Sequence, residues 1–122
     1  MTREAVRSNR TRPNKLYVIG RRDLPPGLRA AQMVHAVTAH IFSNPKAAGE
    51  WFATSNNLVL LEVADEAALE AVLGKLAGAG IGVSPFREPD LDDALTAVAV
   101  GDEGRRLLSS LPLAFRPAVS SE

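Results

Sequence analysis

Short runs of β-branched and aromatic residues alternate along this chain with segments in which apolar residues recur at helical spacing. Such alternation is typical of α/β folds, in which helices pack on the faces of one sheet. The pattern predicts strands at residues 15–20, 58–63, 81–86 and 95–100. It predicts helices at residues 28–42, from 45 to about 53, from 66 to about 79, and at 103–109. We therefore expect an α/β sandwich of about four strands with helices on its faces.

Local signals support several of these elements. Pro45 is a residue type favoured in the first turn of a helix, and Asp65 is a favoured N-cap for the helix that follows it. The run at 58–63 is nearly continuous in apolar character, which predicts a central strand covered on both faces. Trp51 and Phe52 are expected to cover the edge of the core, with stacking on a nucleobase as the alternative.

Length and composition limit the class of protein. A chain of 122 residues is expected to form one domain, and the absence of cysteine excludes disulfides, thiolate zinc sites and cysteine nucleophiles. No segment approaches the ~18 apolar residues of a membrane span, and residues 1–13 lack the apolar stretch of a secretory signal. These observations make a cytoplasmic location the expectation.

Positive charge is concentrated near the N-terminus. Residues 1–29 contain eight Lys or Arg and two acidic residues, although the whole chain is neutral. Clustered cations suggest a surface that binds a polyanion, and a solvated tail is the alternative. We predict a basic, disordered arm at 1–14, an α/β domain at 15–115 and a frayed end at 116–122.

Three polar residues mark one face of the first predicted helix. Arg29, Gln32 and His35 recur at three-residue intervals, so a cation, an amide and an imidazole follow one slowly drifting stripe. His40 lies off this stripe, and no metal-binding motif or glycine-rich phosphate loop is present.

A second polar group follows the third predicted strand. Its members are the acidic residues Glu88, Asp90, Asp92 and Asp93. If the first and third strands run parallel, this loop and the turn before the first helix share one edge of the sheet. The alternative is an acidic loop exposed to solvent.

The N-terminal half carries a recognisable motif. An apolar strand is followed by Arg21-Arg22-Asp23-Leu24, then by Gly27, and then by Ala30-Ala31-Gln32-Met33-Val34-His35-Ala36. This order resembles the archaeal and eukaryotic type of peptidyl-tRNA hydrolase, and the likeness extends over roughly residues 15–113. The family usually has a lysine directly before Ala-Ala-Gln, where this chain has Arg29.

The resemblance implies a mixed four-stranded sheet with helices on both faces, frequent homodimers, and neither metal nor cofactor. It implies hydrolysis of the ester that joins a peptidyl or N-blocked aminoacyl group to tRNA. In this chain Glu88 or His35 would orient a water molecule, Arg29 and Gln32 would stabilise negative charge, and Thr96 would contribute a hydroxyl. The residues expected to contact tRNA are Arg21, Arg22, Asp23 and Arg87.

Two other functions stay open at this stage. The chain could be a tRNA- or RNA-binding module that kept the fold without turnover. It could also be a small α/β domain whose partner is another protein.

Overall fold

The structure is a computed structural model, and it describes residues 13–117. The strands are β1 (Lys15–Arg21), β2 (Asn57–Val63), β3 (Val83–Glu88) and β4 (Ala94–Val100). The helices are α1 (Pro26–Ser43), α2 (Pro45–Thr54), α3 (Glu66–Gly78) and α4 (Arg105–Leu108). Short 3-10 turns occupy Pro89–Leu91 and Asp102–Gly104. The predicted α/β class is confirmed.

The four strands form one mixed sheet in the order β2-β1-β4-β3. Strand β1 is parallel to β2, and β4 is antiparallel to both of its neighbours, β1 and β3. Consequently β1, β2 and β3 all run in one direction, and their carboxyl ends lie at the same end of the sheet. This is the geometry under which the turn after β1 and the loop after β3 come together.

Strand β2 lies at an edge of the sheet, so the prediction of a central strand at 58–63 was wrong. Its apolar character has another cause, because the segment near the C-terminus pairs with its outer side. Ala114 N–H donates to the Leu60 carbonyl at 2.8 Å, and Glu62 N–H donates to the Pro112 carbonyl at 3.1 Å. The two fully covered strands are β1 and β4.

Helices cover both faces of the sheet. On one face α3 and α4 pack on Tyr17, Ile19, Val98 and Val100. On the other face Met33 and Ala36 of α1 pack on a smaller cluster formed by Val18, Ala97 and Ala99. The alanines of β4 and the glycine of β1 on that face leave room for the helix to approach the sheet closely.

The helix boundaries follow their local signals. Helix α1 starts at Pro26, two residues before the predicted start, because proline fits the first turn, where no intrahelical N–H donor is required. Asp65 caps α3 as predicted, with its carboxylate accepting from Ala68 N–H at 2.9 Å. Residues 1–12 of the predicted arm and residues 118–122 of the predicted frayed end lie outside the described residues.

No helix within residues 13–117 combines the length and the apolar character needed to cross a bilayer.

Candidate active site

Helix α1 lies along β3, and three pairs of side chains join them. The alternating residues of β3 that face the helix are Ser84, Phe86 and Glu88, and they meet His40, His35 and Gln32 respectively. Strand and helix run in opposite directions, so Gln32 and Glu88 reach the edge of the sheet where β1 and β3 end. Two residues of the sequence stripe, Gln32 and His35, therefore lie along β3, an edge strand of the sheet.

A break in the register of β4 brings Thr96 to the same place. Phe86 pairs with Ala97, whereas the next residue, Arg87, pairs with Leu95, so Thr96 is the extra residue of a β-bulge. Strict alternation would have placed Thr96 on the face of Val98, under α3. The bulge instead turns its hydroxyl toward α1, as bulges beside functional sites commonly do.

Gln32 is held in one orientation by two hydrogen bonds. The Thr96 hydroxyl donates to Gln32 Oε1 at 2.7 Å, and Gln32 Nε2 donates to Glu88 Oε1 at 2.9 Å. Gln32 and Thr96 are both buried, so neither oxygen can exchange its partner for bulk water. The buried Gln32 amide thus holds the half-buried Glu88 carboxylate in place at the carboxyl end of β3.

The surroundings of Glu88 favour its charged form. The hydrogen bond from Gln32 contributes most to a lowered pKa of Glu88, and the backbone N–H of Asp90 and the electrostatic interaction with His35 lower it further. The Asp90 N–H lies 3.3 Å from Glu88 Oε2. Near neutral pH the site therefore offers a carboxylate with an imidazole close enough to affect its charge.

His35 is exposed, and its ring lies flat against Phe86. The ring centroids are 4.7 Å apart, with an angle of 23° between the planes. Such stacking restricts the imidazole while leaving it open to a ligand. Glu88, Gln32, Thr96 and His35 are the predicted catalytic residues that the structure brings together.

Arg29 has different partners. Its Nη1 donates to Glu62 Oε2 at 3.1 Å, and its Nη2 donates to the carbonyls of Arg22 and Leu24 at 2.9 and 2.8 Å. The Phe115 ring covers the guanidinium at 5.2 Å from its centroid. Arg29 is 9% exposed, so it ties the β1–α1 turn to β2 and is not presented to solvent.

The four residues predicted to contact tRNA are distributed over two faces of this edge. Arg21 forms a two-pronged ion pair with Asp23, at 3.0 and 2.9 Å, which lowers the pKa of Asp23. Arg87 points to the α3 side and forms a similar pair with Glu70 there. The Arg22 side chain is 54% exposed, and within residues 13–117 its one ion-pair contact is a long one, 3.8 Å to Glu62. Among these cations Arg22 is the least compensated.

The rest of the acidic loop fits the alternative of an exposed loop. Asp92 and Asp93 are exposed, and both adopt left-handed backbone angles, with φ of 55° and 59°. They form the turn into β4. Trp51 is buried as expected, but Phe52 is 67% exposed, so only the tryptophan covers the core edge.

Glu62 and the bulge at Thr96 were missed by sequence reasoning. A carboxylate in the otherwise apolar run at 58–63 was the available signal for a buried ion pair. The signal for the bulge was weak: small and large residues alternate from Ala97 to Val100, and Leu95 falls out of that alternation. Over the part of the chain described, no group of three or more His, Cys, Asp or Glu residues is arranged to hold a metal ion.

Comparison with known proteins gives the fold alone. No family model matches the chain, and no curated protein matches it. The solved structure of Atu0240, a protein of unknown function from Agrobacterium tumefaciens strain C58, is similar with a TM-score of 0.63. The alignment has 14% sequence identity and covers 82% of this chain and 96% of the other.

Proposed function

We propose that this chain hydrolyses the ester between a peptidyl or N-blocked aminoacyl group and tRNA. The observation that carries the proposal is the hydrogen bond from Gln32 to Glu88, beside His35, at an open edge of the sheet. An activated ester needs a positioned water and a proton acceptor, and a carboxylate with an imidazole provides both. The motif that resembles the hydrolase family supplies two of these three residues.

Each residue has a role in this mechanism. Glu88 accepts a hydrogen bond from the attacking water and orients it toward the ester carbonyl carbon. His35 takes the proton as the water oxygen bonds to that carbon, and it returns the proton to the ribose oxygen when the ester bond breaks. Gln32 and Thr96 keep Glu88 in place, so they are positioning residues here. Arg29 holds the turn and does not contact the ester.

Of the three arginines near Glu88 that were predicted to contact tRNA, two are already paired with carboxylates and have little charge left for a phosphate. Arg21 and Arg87 are compensated by Asp23 and Glu70, which leaves Arg22 as the most exposed arginine of the edge. We therefore expect tRNA to bind with modest affinity and with a salt dependence that decreases when Arg22 is replaced by Gln.

The test is release of deacylated tRNA from a purified N-acetylaminoacyl-tRNA at low salt. Glu88→Gln and His35→Gln should each lower the rate by about 100-fold or more. The matched control is Asp92→Asn, an exposed acid of the same loop that should keep the wild-type rate. Equal rates in Glu88→Gln and wild type would overturn the mechanism.

A binding module without turnover is the second candidate, and the position of Arg29 favours it. The family has a lysine at this place, whereas Arg29 is buried against Glu62. An arginine in such a pair cannot transfer a proton near neutral pH. Wild-type protein that binds the tRNA but releases no product would establish this candidate in place of the hydrolase.

A further inference from the structure

A cavity of about 240 Å³ lies at the opposite end of the strands from Glu88, where β1 begins and β4 ends. It is formed by the start of β1, the end of α1, helix α2 and the segment that follows β4. Its chemically active walls are Lys15, His40, Glu50, Trp51, Asp102 and Glu103. None of these residues has a part in the proposed ester hydrolysis.

His40 points one unused nitrogen into this cavity. The side chain is 8% exposed, and both of its polar side-chain contacts use Nδ1, at 3.4 Å from Ser84 Oγ and 3.5 Å from Asn44 Nδ2. Across residues 13–117 every side-chain nitrogen or oxygen that is inaccessible to solvent has a hydrogen-bond partner. Since Nε2 has no contact of its own and His40 lines the cavity, Nε2 is reached from the cavity. Burial lowers the pKa of His40, so the imidazole is neutral near pH 7.

Negative side chains outnumber positive ones among the described residues that line the cavity. Leaving aside Asp102, which has partners of its own, two carboxylates, from Glu50 and Glu103, face one ammonium group, from Lys15. The Glu103 carboxylate folds back over Gly101, where a Cβ atom would collide with it. It is also close enough to His40 to affect the imidazole pKa. Asp102 accepts a hydrogen bond from the Lys15 backbone N–H at 3.2 Å, which fixes the start of β1 to this wall.

We propose that this cavity binds a small organic cation, a primary alkyl amine or diamine. The ammonium group supplies N–H donors that Glu103 and Glu50 accept. Nε2 of His40 accepts another in the tautomer whose Nδ1–H donates to Ser84 Oγ, and in that tautomer the 3.5 Å approach of Asn44 Nδ2 is not a hydrogen bond. The indole of Trp51 offers an apolar wall for the alkyl part. The volume is below the roughly 300 Å³ at which pockets for drug-sized ligands begin, which limits the ligand to a small molecule.

Trp51 makes the proposal directly measurable, because it is the one tryptophan of the chain. The probe is 1,4-diaminobutane, titrated at constant ionic strength while tryptophan fluorescence is recorded. The neutral control is 1,4-butanediol, which has similar length and no charge. We expect a saturable change with the diamine and none with the diol.

Two variants locate the binding. Glu103→Gln should weaken diamine affinity by about tenfold, since a charge-assisted hydrogen bond becomes a neutral one. Glu70→Gln, a carboxylate that pairs with Arg87 at the far edge, should leave the affinity unchanged. If Glu103→Gln has a lowered thermal midpoint, Glu50→Gln provides the same comparison.

The His40 imidazole gives an independent readout. In ¹⁵N spectra of the full chain, Nε2 should be unprotonated in the free protein, and its signal should shift on addition of the diamine. Equal responses to diamine and diol, no saturation, or an unshifted Nε2 signal would each overturn the proposal.

Discussion

Gln32 donates to Glu88 across 2.9 Å and thereby connects the buried face of α1 to the last residue of β3. This hydrogen bond is the largest cause of the lowered pKa of Glu88. Gln32 is itself fixed by the buried hydrogen bond from Thr96 on β4. The pKa of Glu88 therefore depends on a contact between two buried residues.

Replacing Gln32 by Leu should raise the pKa of Glu88, because the carboxylate loses its main hydrogen-bond donor. A titration of the Glu88 carboxyl carbon by NMR measures this directly. Asp92→Asn is the control, since Asp92 does not contribute to the shift. An unchanged midpoint in Gln32→Leu would contradict the assignment.

The same group contributes to the pH dependence of stability. Since folding lowers the pKa of Glu88, its stabilising contribution is complete above the pKa of the unfolded chain. It is lost as the pH falls through the lower, folded-state pKa. In Gln32→Leu this acid-sensitive contribution should decrease.

Thr96→Val should lower the free energy of unfolding by about 1–3 kcal/mol, because it leaves the buried Oε1 of Gln32 without a donor. Urea denaturation provides the measurement. Thr38→Val is the matched control, because that hydroxyl is exposed and bonds only to a carbonyl of its own helix, that of Val34. Equal losses in the two variants would show that the Thr96 hydrogen bond is unimportant.

Arg29 and Glu62 form an ion pair with both side chains about 10% exposed. Arg29→Met alone should lower the free energy of unfolding by about 3–5 kcal/mol, because Glu62 keeps a buried charge without its closest partner. The double variant Arg29→Met, Glu62→Leu should recover much of this loss. A double variant that is less stable than Arg29→Met would contradict this account.

His40 should make the protein less stable in mild acid. Burial lowers its folded-state pKa, and the nearby Glu103 carboxylate opposes the shift only in part. The unfolded chain, with an ordinary histidine pKa near 6.5, then takes up the proton more readily. Stability is therefore greatest above that value and decreases as the pH falls from it toward the folded-state pKa.

The free energy of unfolding, measured at about pH 7.5 and at about pH 5.5, tests this expectation. His40→Gln should reduce the difference between the two values, whereas His35→Gln, at an exposed position, should retain it. If both variants reduce it equally, the acid sensitivity does not come from the buried imidazole.

Gly20→Ala should destabilise the fold by about 1–3 kcal/mol through overpacking. A Cβ atom at Gly20 would lie 2.6 Å from Met33 Sδ, 2.9 Å from Met33 Cγ and 3.3 Å from Arg29 Cγ, so the buried Met33 side chain would have to shift. The control is Gly74→Ala in α3, where a Cβ has open space and a helical alanine should stabilise by about 0.5–1 kcal/mol. Thermal denaturation distinguishes the two.

Periodicity was sufficient to predict the α/β class and the polar stripe of α1, because local spacing determines which residues share a helix face. It could not predict their partners, since these depend on the order of strands in the sheet. Arg29 meets Glu62 on β2, whereas Gln32 meets β3 and β4. Arg29 of the stripe therefore holds the β1–α1 turn against β2, and Gln32 holds Glu88 in place.

Two further features required the tertiary structure. The bulge at Thr96 reverses the face expected from alternation, and the only local sign of it is that Leu95 breaks the small–large alternation of residues 97–100. The apolar run of β2 resembled a central strand because the C-terminal segment, distant in sequence, covers its outer side.

That covering segment also protects the chain from its own copies. Leu113 pairs with Leu61, and the Pro112 carbonyl and Ala114 N–H occupy backbone groups of β2 that would otherwise face outward. An uncovered strand edge is a template on which a second chain can add a strand, which is how many folded proteins begin to aggregate. The segment at Pro112 to Ala114 thus shields the Leu60–Glu62 part of β2 from the addition of a strand by another chain.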